Sequence, residues 1–567
     1  MSTPESGDEA LRAAEQAAAE AERVAAEARA KVEALTEAAA ETSDDPATAP
    51  LSEAAQAVSA GYAFEGAALA IGALVEADPL PGVQVRIPLA MLNRHGLVAG
   101  ATGTGKTKTL QVLAEQVAAH GVPVFAADVK GDLSGIATPG TPSDKLLERC
   151  RSIGQDWTPN ATPTEFFTLG GLGTGVPIRA SVESFGPVLL SKVLGLNATQ
   201  ESSLGLVFHY ARQTDRRLVD LDDLRAVLTW LMGDGKAELK ALGGLSPATA
   251  GVILRELIAF ADQGAGAFFG LPEIAASDFL RTTQTSDGRT SGVVSLLEIP
   301  GVQDKPALFS TFLMHLLTSL FRELPEVGDT DRPKLVFFFD EAHLLFRDAS
   351  KDFLELVTQT VRLIRSKGVG VFFVTQTPKD VPSDVLAQLG SRIQHQLRAH
   401  TPEDAKALKA TVSTYPTSSY DLAEVLTQLA TGEAVVTVMN EKGAPSPVAW
   451  TRVRAPQGSM EPTPAPAMQA AVQASPLLAT YGTAVDPPSA AESLQAQQSA
   501  SRAQAEATES AERTRREAER LEKEAGARPR TRSTRSSRRE STLDKAAKEA
   551  SRTLVREVVK NLFKRRR

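Results

Sequence analysis

The sequence predicts an α/β fold, a mainly parallel sheet with crossover helices, and three observations predict it. Short β-rich runs alternate with helical patterns through the middle of the chain, as parallel strands joined by helices require. Two of those runs, LVFFF at 335–339 and VGVFFV at 369–374, are apolar throughout, which suits strands buried on both faces. The aromatic side chains that a packed core needs are also confined: none precedes Tyr62, and none falls between Tyr481 and Phe563. The folded mass is therefore expected between about residues 62 and 455, with poorly packed arms on either side.

In chain order, residues 8–42 are rich in Ala and Glu with interspersed Arg and Lys, and read as a solvated helix; Ser43, Pro46 and Pro50 punctuate its end. The clear strands are 97–100, 122–128, 293–299, 335–340 and 369–375. A long, mostly helical insertion is expected from about 141 to 290, and a β-hairpin at 432–453 around Asn440-Glu441-Lys442-Gly443. After Ala455 the composition turns to Pro, Ala, Gln and Ser, which reads as a linker over 456–500. Residues 503–525 read as a charged helix without a core face, and 528–539 as an Arg/Ser run. A last amphipathic segment starts at Ser541, with Asp544 completing a capping box. The expected organisation is thus an arm at 1–60, a main domain at 61–455, the linker, and a basic tail at 501–567.

The 567 residues allow one large α/β domain with attachments, or two or three ordinary domains. At 42% apolar and 23% charged, the chain is neither collagen-like nor wholly disordered. Its single cysteine, Cys150, excludes an internal disulfide and fits a reducing compartment. The longest apolar run, 66–75, is too short to span a bilayer, and the acidic N-terminus lacks the apolar segment of a signal peptide, so a cytoplasmic protein is expected. The net charge of −8 is unevenly spread: +10 over 501–567, −8 over 1–50 and −10 over 51–500. An acidic body with a basic tail cannot grip nucleic acid over its whole surface, so such contact is expected in the tail or in a local channel.

The strongest chemical signal is Gly100-Ala101-Thr102-Gly103-Thr104-Gly105-Lys106-Thr107, followed by Lys108, lying after a strand and before a helix. Glycines there let backbone N–H groups converge on a phosphate at a helix N-terminus, whose dipole favours anions. Lys106 is placed to bridge β- and γ-phosphates, and the Thr107 hydroxyl to ligate Mg²⁺. A partner strand, KLVFFF, ends in Asp340 and Glu341: the first suited to hold Mg²⁺ through its water shell, the second to polarise an attacking water. Because binders that only switch often lack the second carboxylate, the pair points to ATP hydrolysis. The next apolar strand ends in Gln376, either a γ-phosphate sensor or a cap for the turn before Pro378. Charge on a transferring phosphoryl group also needs an extra cation. Arg365, then Arg362 and Arg392, are the candidates, each with a salt-bridge role as the alternative. In Asp128-Val129-Lys130-Gly131-Asp132, Lys130 or Asp132 reads as a nucleotide or subunit contact, or the segment reads as a turn stabilised by Asp and Gly. His343 reads as the start of the next helix or as a relay of phosphate state. Cys150 reads as an inert, partly buried thiol, and the seven His show no metal-site spacing.

With these residues placed, the chain resembles the HerA/FtsK superfamily of P-loop ATPases, and more closely the YjgR-type branch with a HerA-like C-terminal helicase domain. The blocks RHGLVAGATGTGKTKTLQ, FAADVKGDLSGIA, PKLVFFFDEAHLLF and VRLIRSKGVGVFFVTQTPKDVPSDVLAQLGSRIQHQLRAHTPEDAKALK carry the resemblance, over about 60–455. It implies a RecA-like core, ATP and Mg²⁺, self-association as a hexameric ring with an arginine finger acting in trans, and motor activity on DNA, through the ring or the basic tail. Many relatives with a DNA role carry an N-terminal barrel domain; none is expected before Gly96, which makes DNA-end processing a lesser expectation. A nucleotide-gated assembly scaffold is the alternative function, motivated by the two arms. Contact of the basic segment 543–567 with anionic lipid ranks below contact of the tail with nucleic acid.

Overall fold

The computed structural model describes residues 51–526 apart from 242, 300–305, 329 and 348–350, together with Arg23. Its strands are β1 (Ala68–Val75), β2 (Pro79–Pro88), β3 (Gly96–Ala99), β4 (Val124–Asp128), β5 (Thr164–Leu169), β6 (Val176–Ile178), β7 (Thr282–Gln284), β8 (Thr290–Gly292), β9 (Val294–Glu298), β10 (Leu335–Phe339), β11 (Val369–Thr375), β12 (Ser391–Gln394), β13 (Glu433–Thr437) and β14 (Ala449–Val453). All but β7 and β8, a separate small hairpin, join one sheet in the order β2-β1-β14-β13-β12-β3-β11-β10-β4-β9-β5-β6. From β12 to β6 every pairing is parallel. This is the RecA-like α/β core that the sequence led us to expect, with an antiparallel extension running from β13 to β2.

The alternation of β10 explains why its sequence carries no polar residue. Leu335, Phe337 and Phe339 enter the core on one face, Val336 and Phe338 the core on the other. On β11, Phe373 and Phe372 divide the same way, and Phe339 stacks on Phe373 at 5.3 Å between ring centroids. Each such fully buried ring stabilises the fold by about 1.5–3 kcal/mol. The helices Val182–Val193, Ala198–Gln213, Leu221–Met232 and Pro247–Asp262 belong to the first of these cores.

Two expectations are corrected. The stretch 141–290 is not simply helical: β5 and β6 within it continue the main sheet beyond β9. Both are short, and a run such as Phe166-Phe167-Thr168-Leu169 has no length by which to announce a strand. Nor are residues 456–494 a free linker. The Trp157 indole donates to Pro456 O (2.7 Å), Gln155 exchanges two hydrogen bonds with Ala455, Thr463 Oγ1 donates to Ser134 O (2.6 Å), and Arg179 reaches Tyr481 O (2.8 Å). Small side chains let this strap lie close enough for its backbone groups to be satisfied by the body.

The hairpin expected at 432–453 is present as β13 and β14, closed by Gly443 N donating to Asn440 O at 2.8 Å. The helix Ala490–Gly526 takes in the charged helix expected at 503–525; a first compact unit ends at Gln495 and a second begins at Ala496. Within the second unit the described residues pair charges one turn apart, as in Arg515–Glu519 (3.1 Å) and Arg516–Glu512 (3.4 Å). No helix among the described residues is long and apolar enough to cross a membrane. The N-terminal helix, the Arg/Ser run and the terminal amphipathic segment lie outside the described residues, Arg23 excepted.

Candidate functional site

β3 ends at Ala99, residues 100–105 turn, and the helix Lys106–Ala119 begins. The turn is tied to the neighbouring strand tips: Gly100 N donates to Thr375 O (3.2 Å) and Ala101 N to Gln396 O (2.8 Å). Gly105 precedes the helix at φ +113° with no side-chain cap. Among the described residues, the N–H groups of Gly103, Gly105, Lys106, Thr107 and Lys108 find no hydrogen-bond acceptor. Five donors at a helix N-terminus, left without acceptors, suit an anion with several oxygens. The Lys106 ammonium lies over the same turn, donating to Gly100 O (2.6 Å) and Ala101 O (3.1 Å), and burial lowers its pKa.

Beneath the turn stands a residue that the sequence did not single out. His395, fully buried, has Nε2 2.9 Å from Thr109 Oγ1 and Nδ1 2.8 Å from Glu433 O. The carbonyl can only accept, so Nδ1 carries the proton and Nε2 accepts from the threonine. Burial holds the imidazole's pKa down at about 4, so it is neutral at physiological pH. A Cβ at Gly100 would lie 2.5 Å from the His395 Cβ, so glycine is needed where turn and histidine meet.

β11 separates β3 from β10. The strand tips carrying the phosphate turn and the acidic pair are thus about 10 Å apart laterally, and the Lys106 charge is felt by both Asp340 and Glu341. Asp340 accepts from Glu341 N through Oδ1 (2.8 Å), and burial, with the Glu341 charge beside it, raises its pKa. Glu341 is buried, and its pKa is lowered, first by His343 and then by Lys130. Its backbone sits at φ +47°, a left-handed conformation unusual for glutamate and typical of functional sites. Gln376, at the tip of the intervening β11, is exposed between the two. Lys106, Thr107, Asp340, Glu341 and Gln376 are therefore brought together.

The other candidates fall elsewhere. Arg362 and Arg365 precede β11, at the opposite edge of the sheet, about 20 Å along the strand from Gln376; they take no part in their own chain's site. Arg392 is engaged by Thr414, through Oγ1 (2.6 Å) and O (3.1 Å), and lies over the Tyr415 ring. The Lys108 side chain leaves the turn for Met460 O (2.7 Å), so only its backbone faces the cradle. His343 opens a short helix and also stands 3.2 Å from Glu341. Asp128 supports the turn at 130–134 with its carboxylate, so the turn reading holds for it, while Lys130 reaches Glu341 at 2.6 Å. Arg398, not foreseen, donates to Thr102 O (3.3 Å). Cys150 is buried and its thiol pushed up to about 11 by burial, which keeps it protonated.

The profile of the family described as Helicase HerA-like C-terminal matches residues 74–566. Among curated relatives, a DNA double-strand break repair helicase HerA of Sulfurisphaera tokodaii is 23% identical over 382 residues, covering 66% of this chain and 67% of its own. The protein of the same description from Sulfolobus acidocaldarius is 22% identical over 377 residues, with the same coverage. Of solved structures, the plasmid coupling protein TrwB in complex with ADP and Mg²⁺ is similar over 70% of this chain and 98% of its own, at 15% identity and a TM-score of 0.46. VirB4 of Thermoanaerobacter pseudethanolicus is similar over 69% and 97%, at 15% identity and a TM-score of 0.45.

Proposed function

From the premise that this chain belongs to the HerA-like helicase C-terminal family, we propose that it is an ATP-hydrolysing motor that acts on DNA as a ring of identical subunits. The observation that carries the reading is the convergence on one side of the sheet of five acceptor-less N–H groups, the Lys106 ammonium, and the Asp340/Glu341 pair. The cradle binds the β-phosphate through its N–H groups, and Lys106 exchanges its two backbone carbonyls for β- and γ-phosphate oxygens. Thr107 and, through water, Asp340 would hold Mg²⁺, which would supply positive charge against the phosphates. Glu341 orients and polarises the attacking water, and Gln376 contacts the γ-phosphate or that water.

Arg365 serves the neighbouring subunit's site. Its distance from its own Gln376 leaves it no phosphate of its own chain to reach. DNA as the track follows the names of the relatives above. The net charge of −10 over 51–500 favours contact in the ring channel or through the basic tail.

The test is ATP turnover of the purified full chain with and without single- and double-stranded DNA, with oligomer mass recorded in the same buffer. Turnover should rise with DNA and collapse in Lys106→Ala and Glu341→Gln, while Glu341→Gln still binds ATP. Intact turnover indifferent to DNA would leave an ATPase whose nucleotide gates an assembly instead.

A further inference from the structure

Lys130 leaves the sheet two residues after Asp128, the last residue of β4. Its main chain is fixed. Asp128 Oδ1 accepts from the N–H groups of Lys130 (3.2 Å), Gly131 (2.6 Å) and Asp132 (3.2 Å), and Oδ2 from those of Leu133 (2.7 Å) and Ser134 (3.1 Å). Its side chain is not fixed in the same way: it is 47% exposed and makes its contact at the far end, Nζ to Glu341 Oε1 at 2.6 Å. The other Glu341 oxygen has His343 Nδ1 at 3.2 Å. Oε1 of the residue placed to polarise water is thus taken up by an ammonium, while the buried Oε2 makes no hydrogen bond.

A second feature concerns where the ammonium stands. Lys106 feels the charge of Lys130, and both lysines feel those of Glu341 and Asp340. The Lys106 ammonium is held by the carbonyls of Gly100 and Ala101 and the Lys130 ammonium by Glu341, and an incoming phosphate competes for both. Lys106 is committed to the β- and γ-phosphates by its place in the turn. Lys130 approaches from the β4 side, next to the carboxylate that must approach the γ-phosphate's water. A rigid base with a swinging ammonium is what a two-position contact needs.

We propose that Lys130 couples the γ-phosphate to Glu341: it pairs with the carboxylate until a terminal phosphate draws the ammonium away, and only then is Glu341 free to engage water. This rests on the hydrolytic reading of the site and adds a regulator to it. A diphosphate, which lacks the terminal group, leaves the pair closed. Lys130 is on this account a positioning residue for Glu341 and a contributor to the preference for triphosphate over diphosphate.

The experiment is calorimetric binding of Mg-ADP and of a non-hydrolysable Mg-ATP analogue to the full chain, for wild type, Lys130→Ala, Lys130→Arg, Glu341→Gln and the double variant Lys130→Ala/Glu341→Gln. Lys130→Ala should weaken the analogue by about fivefold or more and leave ADP within about twofold, while Lys130→Arg retains most of the discrimination. Glu341→Gln releases the ammonium from its carboxylate, so it should tighten the analogue chiefly when Lys130 is present. The double-mutant cycle should then depart from additivity by about threefold or more. Equal weakening of both ligands, no change in Lys130→Ala, or an additive cycle would each overturn the proposal. Wild-type turnover in the same preparation separates the two ideas. If discrimination depends on Lys130 but ATP is not hydrolysed, the hydrolytic reading falls; if ATP is hydrolysed and discrimination ignores Lys130, this one does.

Discussion

Replacing His395 with alanine should loosen the phosphate turn from below, and the structure gives the size of the effect. The substitution strands two buried groups, the Thr109 hydroxyl at 2.9 Å and the Glu433 carbonyl at 2.8 Å. Each unsatisfied group costs about 1–3 kcal/mol, and the space vacated by the imidazole adds to the loss, for a total of about 4 kcal/mol. At an unfolding entropy of about 2.1 cal/mol/K per residue, a unit of this length should lose roughly 4 °C in Tm. Because Gly100 packs directly on His395, the turn loses its backing as well, and the affinity for Mg-ATP should fall by about fivefold, an energy of roughly 1 kcal/mol. His395→Gln, whose amide oxygen can still accept from Thr109, should lie between wild type and alanine in both respects. Differential scanning calorimetry and titration with a fluorescent ATP analogue measure the two effects. An alanine variant with Tm within about 1 °C of wild type and unchanged nucleotide affinity would refute the role given to this side chain.

Two pH predictions of opposite sign follow from buried groups. His395, held at about 4 against an ordinary value near 6.5, contributes stability that is present above about 6.5 and lost as pH falls through 4. The stability difference between wild type and His395→Gln should therefore shift against wild type by up to about 3 kcal/mol between pH 7 and 4, read from denaturant unfolding. Glu115 accepts from Gln457 N (2.7 Å) and Gly458 N (2.9 Å), and burial raises its carboxyl to about 7. Its contribution is greatest at low pH and is lost as pH rises through 7, so wild type should gain on Glu115→Gln as pH falls from 8 to 5; a difference that is flat with pH would count against the burial. Gly100→Ala drives a methyl group into the His395 Cβ position, and Mg-ATP should no longer raise the Tm of that variant.

Much of the site was legible because its parts are contiguous. The turn at 100–107 is a spacing motif, and its strand and helix lie immediately on either side. Asp340 and Glu341 stand out because a run of apolar residues ends in two charges, and Gln376 because the next such run ends in an amide. The parts that were not legible depend on contacts remote in sequence. Thr109 and His395 are 286 residues apart, and nothing local to either announces the other. Lys130 lies in a block that drew attention, yet its partner belongs to a different strand, so the two readings of that block could not be separated from residues alone. The strap was misread for another reason. Pro, Ala and Ser report a scarcity of bulky side chains, yet this segment is held both by hydrogen bonds of its backbone, to which composition is blind, and by its few large apolar residues, Val472, Leu477 and Tyr481, which enter the two main cores.

The course of the strap also fixes where the protein can be cut. Ending the chain at Ala455, where the composition changes, would take away the acceptor of the Trp157 indole and the donors that Glu115 faces, and would leave the Lys108 ammonium without Met460. Truncates of that kind would come out of expression with a raw groove along the helix that starts the nucleotide cradle, and their inactivity would say nothing about the arms removed. Deletion series aimed at the tail should instead begin after Leu494, downstream of the point where Ser489 meets Asp223 and Ala490 N meets Arg217 O.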